Sequence, residues 1–270
     1  MTRMSSSLAA RSVLAASLVV AVSSLACLPF VASGAHAAAA IPANIAAAVA
    51  DGNRPDADKQ RDPDRKPAET LAFIGIKPGE KVAELLPGAG YFTRILSKAV
   101  GPKGKVFAVV PPRPANAPAD RPDMAARIKA VSDDPSYSNV TVLQQPLATL
   151  AVSDPVDLVF TAQNYHDLHN VPSLDIAAFN KSVFDALKPG GLYVVVDHSA
   201  EAGSGVRDTS TLHRIDVDSV KKEVTAAGFV LAGSSNILAN AADPRTAKVF
   251  DPSIRGKTDQ FILKFRKPGK

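Results

Sequence analysis

Short apolar runs that alternate with helix-type patterns constrain the fold of this chain more than any other feature. Amphipathic segments and runs rich in β-branched residues follow one another between residues 69 and 267. The predicted strands are 81–86, 104–110, 139–144, 156–162, 192–198, 230–238 and 259–267. Such alternation specifies a mostly parallel sheet with helices on both faces. We therefore predict an α/β fold with a doubly wound, mainly parallel seven-stranded sheet, whose edge is antiparallel because no helix separates the last two strands.

The segment VAELLPGAGYFTRIL, residues 82–96, predicts a strand that passes through a tight glycine turn into an amphipathic helix. Gly88 and Gly90 fall at the carboxyl end of this strand, where the backbone bends sharply and a ligand can approach it closely. Glu84 lies within the otherwise apolar strand, and its burial is costly unless an amide, a water or a ligand ammonium satisfies it. An ordinary βα turn fits the same pattern, so the two glycines alone do not identify a ligand site.

Three segments taken together resemble the class I S-adenosylmethionine-dependent methyltransferases. VAELLPGAGYFTRILSKAVGPKGKVFAV resembles the first motif and second strand of that family, DLVFTAQNYHDLHN its fourth strand and following loop, and ALKPGGLYVVVDHS its fifth-strand signature. The similarity spans residues 66–268. Within that family, the chain most resembles a group of exported bacterial proteins that are predicted to be methyltransferases. It implies a Rossmann-like methyltransferase fold and S-adenosyl-L-methionine as the cofactor.

The resemblance also assigns cofactor-binding residues, namely Glu84, Gly88, Gly90, Tyr91 and Gln145. Glu84 and the two glycines would line the amino-acid end of the cofactor. Leu86, however, stands where the family usually has its first glycine, and Val110 or Pro111 replaces the acid that binds the ribose hydroxyls. Gln144 and Gln145 stand where an aspartate often reads the adenine amino group, and an amide forms similar hydrogen bonds without the charge.

Histidines gather at the predicted carboxyl ends of the fourth and fifth strands. His166 and His169 follow the fourth strand, His198 closes the fifth, and His213 lies in the next loop. One hypothesis is that the floor of an acceptor site consists of Asn164, Tyr165, His166 and Asp167, with His166 or Asp167 as the general base. Positioning and deprotonation of the acceptor are what methyl transfer requires of a protein. Helix capping, turn formation or packing, the last for Tyr165 in particular, accounts for the same residue types.

A metal site is the rival interpretation of these histidines. His166, His169, Asp197 and His198 together would suit zinc, iron or copper. The spacing HDLH is also typical of loop and cap chemistry, and no cysteine is available near it. The sequence therefore leads us to assign no metal ligands and to expect less than one tightly bound transition metal per chain.

The polar, glycine-containing segment 199–216 follows the fifth strand directly. It would form either a lid over the site, with Arg207 and Arg214 binding an anionic substrate, or a surface loop.

The first 37 residues have the pattern of a cleaved signal peptide. Arg3 and Arg11 precede a long apolar stretch, and small residues follow it, with cleavage expected after Ala37. Pro29 and the small-residue run 34–40 argue against a membrane-anchoring helix. Cys27 follows Ser24-Leu25-Ala26, but Ser24 stands where a lipid-attachment box has a large aliphatic residue, so a lipoprotein is less favoured.

The expected organisation is a signal peptide over 1–37, a helical and surface segment over 38–65 and a methyltransferase-like domain over 66–270, in the periplasm or secreted. Cys27 is the only cysteine, so the mature chain forms no internal disulfide. The net charge is +5, and loss of Arg3 and Arg11 leaves +3, which is too mild to indicate nucleic-acid binding.

The sequence thus favours an exported S-adenosylmethionine-dependent methyltransferase that acts on a small or medium acceptor, with no nucleic-acid partner and no stable membrane insertion after cleavage. The alternative is a non-catalytic or metal-binding periplasmic protein that reuses the same fold.

Overall fold

The computed structural model describes residues 40–114, 117–118, 120 and 123–269. The predicted signal peptide, with the cleavage site at Ala37 and the single cysteine Cys27, lies outside the described residues. Residues 40–269 belong to one compact unit, which includes the segment that precedes residue 66. Within the described ranges, no helix combines the length and the apolar character needed to cross a membrane.

Seven strands form one sheet, as predicted. They are Lys81–Leu85 (β1), Lys105–Val110 (β2), Val140–Gln144 (β3), Val156–Ala162 (β4), Leu187–His198 (β5), Val230–Ser235 (β6) and Gln260–Arg266 (β7). Their order is β3-β2-β1-β4-β5-β7-β6, and β7 runs antiparallel to both β5 and β6. The strand order reverses between β1 and β4, which are parallel neighbours, so the ligand crevice of a doubly wound sheet lies beyond their carboxyl ends.

The helices cover both faces of the sheet. They are Ala43–Val49 (α1), Asp56–Lys59 (α2), Asp62–Arg65 (α3), Pro67–Ile74 (α4), Tyr91–Val100 (α5), Met124–Ser132 (α6), Tyr165–Leu168 (α7), Ile176–Ala186 (α8) and Val217–Ala226 (α9). Helix α8 ends at Ala186, because Leu187 is already extended and begins β5. Pro189 favours an end at this place, since helices usually end at or before the residue that precedes a proline.

Alternate residues of the central strands enter different hydrophobic clusters on the two faces. Val106 and Ala108 of β2 pack beneath α1, α4 and α5, whereas Phe107 and Val109 pack beneath α8 and α9. This is the period-two pattern of a strand that is buried on both sides.

A buried ion pair fixes the N-terminal helices. The Arg54 guanidinium is buried and donates to both carboxylate oxygens of Asp62, at 2.9 and 2.7 Å. Asp62 also accepts a 2.6 Å hydrogen bond from the Tyr91 hydroxyl at the start of α5. A bidentate, shared carboxylate of this kind gives orientation as well as stability. It therefore fixes α3, and with it Arg61 and Arg65, beside the crevice at the carboxyl end of β1.

Candidate active site

The crevice at the switch in strand order is a cavity of about 170 Å³ between the ends of β1 and β4. Its lining comprises Arg61, Arg65, residues 84–89, Tyr91, Phe92 and residues 162–164. Leu86, Gly88 and Gly90 all have left-handed backbone conformations, with φ of 52°, 62° and 84°. Leu86 thus keeps the backbone conformation that a glycine adopts without strain. A Cβ atom at Gly90 would lie 2.8 Å from Val131 Cγ2, so close packing of the turn against α6 requires this glycine.

Glu84 places a buried carboxyl group at the wall of this crevice. Only 3% of the residue is exposed, and Oε2 accepts a 2.5 Å hydrogen bond from the Thr93 hydroxyl. The other carboxyl oxygen, Oε1, has no hydrogen-bond partner among the described residues, and part of its surface remains accessible. Burial raises the pKa of Glu84 to about 8, against the opposing effects of the Thr93 hydrogen bond, Arg65 and Arg94. A cationic donor in the crevice would satisfy the free oxygen and favour the carboxylate.

Tyr91 contributes its ring rather than its hydroxyl to the crevice. The hydroxyl is bound to Asp62, while the Arg65 guanidinium lies over the ring at 4.6 Å from its centroid. Stacking of this kind holds a guanidinium in place without neutralising its charge.

A second cavity, of about 570 Å³, shares Arg61, Arg65 and Gln163 with the crevice. The rest of its lining comprises Asp64, His198, Val249, Phe250, Arg255 and Gly256. None of its three arginines forms a salt bridge with a carboxylate in the described part of the chain. With Asp64 as the one acid in its lining, this second cavity has a positive charge balance and suits an anion.

A chain of polar side chains connects the two cavities. Arg65 donates to Gln163 Oε1, Gln163 donates to Gln260 at 3.0 Å, and Gln260 donates to Thr258 at 3.4 Å. Thr258 Oγ1 lies 2.7 Å from His198 Nδ1. Gln163 has φ of 63°, an uncommon conformation for a side chain of this size. This series of hydrogen bonds therefore orients His198. The Nε2 atom of His198 has no partner within the described ranges and is not fully enclosed.

His166 lies deeper than His198 and both of its ring nitrogens face carboxylates. Nδ1 is 2.8 Å from Asp197 Oδ1, and Nε2 is 3.3 Å from Asp167 Oδ1. Burial alone would lower the pKa of His166, but Asp197 and Asp167 outweigh it and raise the pKa to about 10. Burial lowers the pKa of His198 to about 4, aided by the charges of His166 and Arg214. His198 therefore presents the neutral imidazole to the second cavity.

The structure separates the four residues of the predicted acceptor floor. Asn164 lines the crevice and donates to the backbone oxygens of Leu86 and Ala162, at 3.1 and 2.7 Å. Tyr165 lies in the hydrophobic core with no exposed surface, and its hydroxyl donates to Glu223. Tyr165 therefore packs the fold and does not form a floor for a substrate. His166 and Asp167 lie beside each other at the start of α7, outside both cavity linings.

Gln145 has a buried amide nitrogen with no partner among the described residues, while its Oε1 accepts from the Ala151 backbone at 3.3 Å. An unsatisfied buried amide at the carboxyl end of β3 fits a ligand contact in that region. Val110 is buried, and it and Pro111 offer no side-chain acceptor at the end of β2.

The predicted substrate arginines of segment 199–216 have other roles. Arg214 is fully buried and pairs with Asp243 at 2.8 Å, so it stabilises the loop and does not face a ligand. Arg207 pairs with Asp208 at 2.9 Å and with Glu201 at 3.2 Å. His169, placed by sequence in the rival metal set, pairs instead with Glu223 at 3.2 Å.

Sequence reasoning missed Arg61, Arg65, Gln163, Arg255 and Thr258. Arg61 and Arg65 belong to a charged segment with no motif, and Arg255 and Thr258 lie in a long loop before β7. A polar residue directly after β4, such as Gln163, is the one signal that the topology rule supplies, because that strand end borders the crevice.

Comparison with known proteins places this geometry among methyltransferase-type folds. No family model matches the chain. A structure of an S-adenosylmethionine-dependent methyltransferase from Aquifex aeolicus superposes with a TM-score of 0.54 at 22% identity, covering 79% of this chain and 98% of that one. The chain has the class I methyltransferase fold.

Two further similarities concern a sequence relative and a solved structure. Over 160 residues the chain is 26% identical to the protein-L-isoaspartate O-methyltransferase of Methanococcus aeolicus, which covers 58% of this chain and 62% of that protein. The chain therefore matches about three fifths of the length of this curated relative. The cyclase SpnF has a TM-score of 0.53 at 16% identity, covering 82% of this chain and 85% of that one. The class I methyltransferase fold is thus also found in a cyclase, and the residues of the site must carry the functional argument.

Proposed function

We propose that this protein is an S-adenosylmethionine-dependent methyltransferase that acts on a small or medium acceptor bearing an anionic group. The observation that carries the proposal is the buried Glu84, whose free oxygen opens into the crevice at the switch in strand order. The adjoining second cavity suggests the acceptor class, because its arginines form no salt bridge with a described carboxylate.

The crevice fits the amino-acid end of the cofactor. Glu84 would bind the ammonium group, and the backbone turn over residues 86–90 would approach the amino-acid end closely, as its left-handed positions allow. The unpartnered amide of Gln145 would bind at the adenine end. No side-chain acceptor at Val110 or Pro111 is available for the ribose, so the ribose end is bound differently from the usual arrangement.

S-adenosylmethionine, when bound, supplies an electrophilic methyl group on a positively charged sulfur. Arg61, Arg65 and Arg255 bind the anionic group of the acceptor, and the ring of Phe250 forms an apolar wall beside them. His198 Nε2 accepts the proton of the acceptor nucleophile as general base. We assign this role to His198, and no longer to His166 or Asp167, because His198 lines the second cavity with a free nitrogen whereas both nitrogens of His166 face carboxylates.

Isothermal titration of the purified protein with S-adenosylmethionine and S-adenosylhomocysteine tests the cofactor assignment. We expect heat of binding for both, and absence of heat at millimolar ligand would remove the assignment. Transfer of a labelled methyl group to carboxylate-bearing acceptors and to their neutral amides then tests the acceptor class. Equal turnover of acids and amides would contradict the role given to the arginines.

A second candidate function is a non-catalytic binding protein that uses the same crevice for another ligand. The missing acid at the end of β2 favours it, because that acid is the usual anchor of the ribose in this family. Mass spectrometry of small molecules that remain bound through purification distinguishes the two. Recovery of a nucleoside-containing sulfonium compound would count against the binding-protein interpretation.

We also propose that the protein is exported after cleavage at Ala37, to the periplasm or the medium. The positive, apolar and small-residue pattern of the first 37 residues supports this proposal. Amino-terminal sequencing of the protein recovered from each cell fraction tests it. A chain that remains cytoplasmic and begins at Met1 would contradict it.

A further inference from the structure

Three side chains beside the second cavity converge in a way that neither proposed function uses. His166 Nε2 lies 3.3 Å from Asp167 Oδ1, and His213 Nδ1 lies 3.5 Å from the same carboxylate oxygen. One ligand atom from each of the three residues lies within 4.8 Å of the other two. Tetrahedral bonds of about 2.0–2.2 Å to one ion place ligand atoms roughly 3.4 Å apart, so two of the three separations already have this value.

Asp197 supplies an independent indication of a metal ligand. Its Oδ1 lies 2.8 Å from Nδ1 of His166, which is the ring nitrogen that faces away from Asp167. Its other oxygen accepts the His166 backbone N–H at 2.7 Å. Histidine ligands almost always donate their second ring N–H to a carboxylate or carbonyl, which fixes the tautomer and leaves the other nitrogen for the ion. Asp197 is fully buried and holds His166 in this orientation.

The charge and exposure of the cluster also suit a cation. Asp167 and Asp197 provide two carboxylates for two imidazoles, and the side chains of Asp167 and His213 are 45% and 30% exposed. An ion could therefore enter from solvent. Two imidazoles and one carboxylate are ligands that zinc and iron prefer, whereas magnesium and calcium prefer oxygen ligands alone.

We propose that His166, Asp167 and His213 bind one divalent first-row transition ion, with Asp197 as the positioning residue for His166. Three protein ligands leave at least one coordination position for water or a ligand. The Phe250 ring packs edge-on against His213, with 4.9 Å between centroids, and also lines the second cavity. The ion would thus border the cavity that we assign to the acceptor. The proposal replaces the sequence-based expectation of no metal and does not depend on methyl transfer.

The test measures metal content and thermal stability, so its outcome is separate from that of the cofactor titration. Untagged protein is incubated separately with Zn²⁺, with Mg²⁺, or with Fe²⁺ under anaerobic conditions. Each sample is then desalted, and its metal content is measured by inductively coupled plasma mass spectrometry. We expect about one zinc or iron per chain, no retained magnesium, and a higher melting temperature with the retained ion. Wild-type protein with only background zinc and iron would overturn the proposal.

Four variants identify the ligands. Asp167→Asn and His213→Ala alter partly exposed side chains and should abolish metal retention while the circular dichroism spectrum is unchanged. Asp197→Asn should weaken the affinity for Zn²⁺ by about 10- to 100-fold, the usual effect of an outer hydrogen-bond partner. His169→Ala is the matched control, because His169 lies in the same segment but pairs with Glu223, and it should retain the wild-type metal content. Retention by Asp167→Asn and His213→Ala, or loss in His169→Ala, would place the ion elsewhere and overturn the assignment.

Discussion

The crevice and the second cavity share Arg61 and Arg65 but differ in the other charged groups that line them. The crevice adds the buried carboxyl of Glu84, whereas the second cavity adds Arg255 and Asp64. Burial raises the pKa of Glu84 to about 8, so this carboxyl becomes an anion when a cationic group binds beside it. The crevice can thus match a cationic group, whereas the second cavity keeps a positive charge balance that suits an anionic one. Under the proposed function, this difference would place the cofactor in the crevice and the acceptor in the second cavity.

The largest expected effect concerns the base in the second cavity. His198→Gln keeps a polar group beside Thr258 but removes the basic nitrogen. Methyl transfer should fall by about 100-fold or more, the usual scale for a general base, while the affinity for S-adenosylmethionine should change little. Single-turnover transfer of labelled methyl measures the first quantity and calorimetry the second. His169→Gln is the control, and an equal loss of activity in that variant would contradict a specific role for His198.

The next effect concerns the crevice. Glu84→Gln preserves the size of the side chain and its contact with Thr93 but removes the charge that would bind an ammonium group. A hydrogen bond to a charged group contributes about 1.5–3 kcal/mol, so the dissociation constant for S-adenosylmethionine should rise by roughly 10- to 100-fold. Calorimetry measures it, and Glu201→Gln on the surface serves as the control. An unchanged dissociation constant would show that Glu84 faces no cofactor.

The two cavities also differ in how far the sequence predicts them. The turn and the strand at Glu84 are consecutive in the chain, so local patterns predicted the crevice together with the sheet that carries it. The second cavity combines Arg61, His198 and Arg255, which come from distant segments and meet only after the sheet has formed. No local pattern encodes that meeting.

Tyr165 shows that the sequence also leaves the direction of a side chain undetermined within a single helical turn. The segment after β4 reads as a loop, but residues 165–168 form one turn of helix. Side chains three apart on a helix share a face, and Tyr165 and Leu168 therefore both enter the core. His166 and Asp167 point elsewhere and meet His213. The sequence alone identifies these residues as candidates, because their side chains can serve in chemistry. The direction of each side chain, however, depends on this single helical turn.

A smaller effect is expected at the rim of the second cavity. Arg255→Gln removes, from an exposed position, one of the three guanidinium groups of this cavity that form no salt bridge within the described ranges. The Michaelis constant for an anionic acceptor should rise by about tenfold, and the constant for its neutral amide should not change. Steady-state kinetics with the acid and amide pair measure the difference. Arg207→Gln, whose side chain pairs with Asp208, is the matched control. A tenfold rise with both substrates would show that Arg255 does not read the anionic group.

The smallest expected effect is on thermal stability. Its pH dependence distinguishes the buried Glu84 of the crevice from carboxylates on the surface. The pKa of Glu84 is raised to about 8 in the folded protein, mainly by burial, against an ordinary value of 4.5. Between these two values the folded state holds a proton that the unfolded state has released. The contribution of Glu84 to the free energy of unfolding therefore decreases as pH rises from about 4.5 to about 8, and it is constant above that range.

Glu84→Gln removes this decrease, so its melting temperature relative to wild type should rise by a few degrees from pH 5 to pH 8. Thermal melts at both pH values measure the difference without any ligand, and Glu201→Gln, with a side chain 73% exposed, should follow wild type. Parallel pH profiles for wild type and Glu84→Gln would mean that Glu84 is already compensated in the free protein, and the crevice would then lack the unsatisfied carboxyl that distinguishes it from the second cavity.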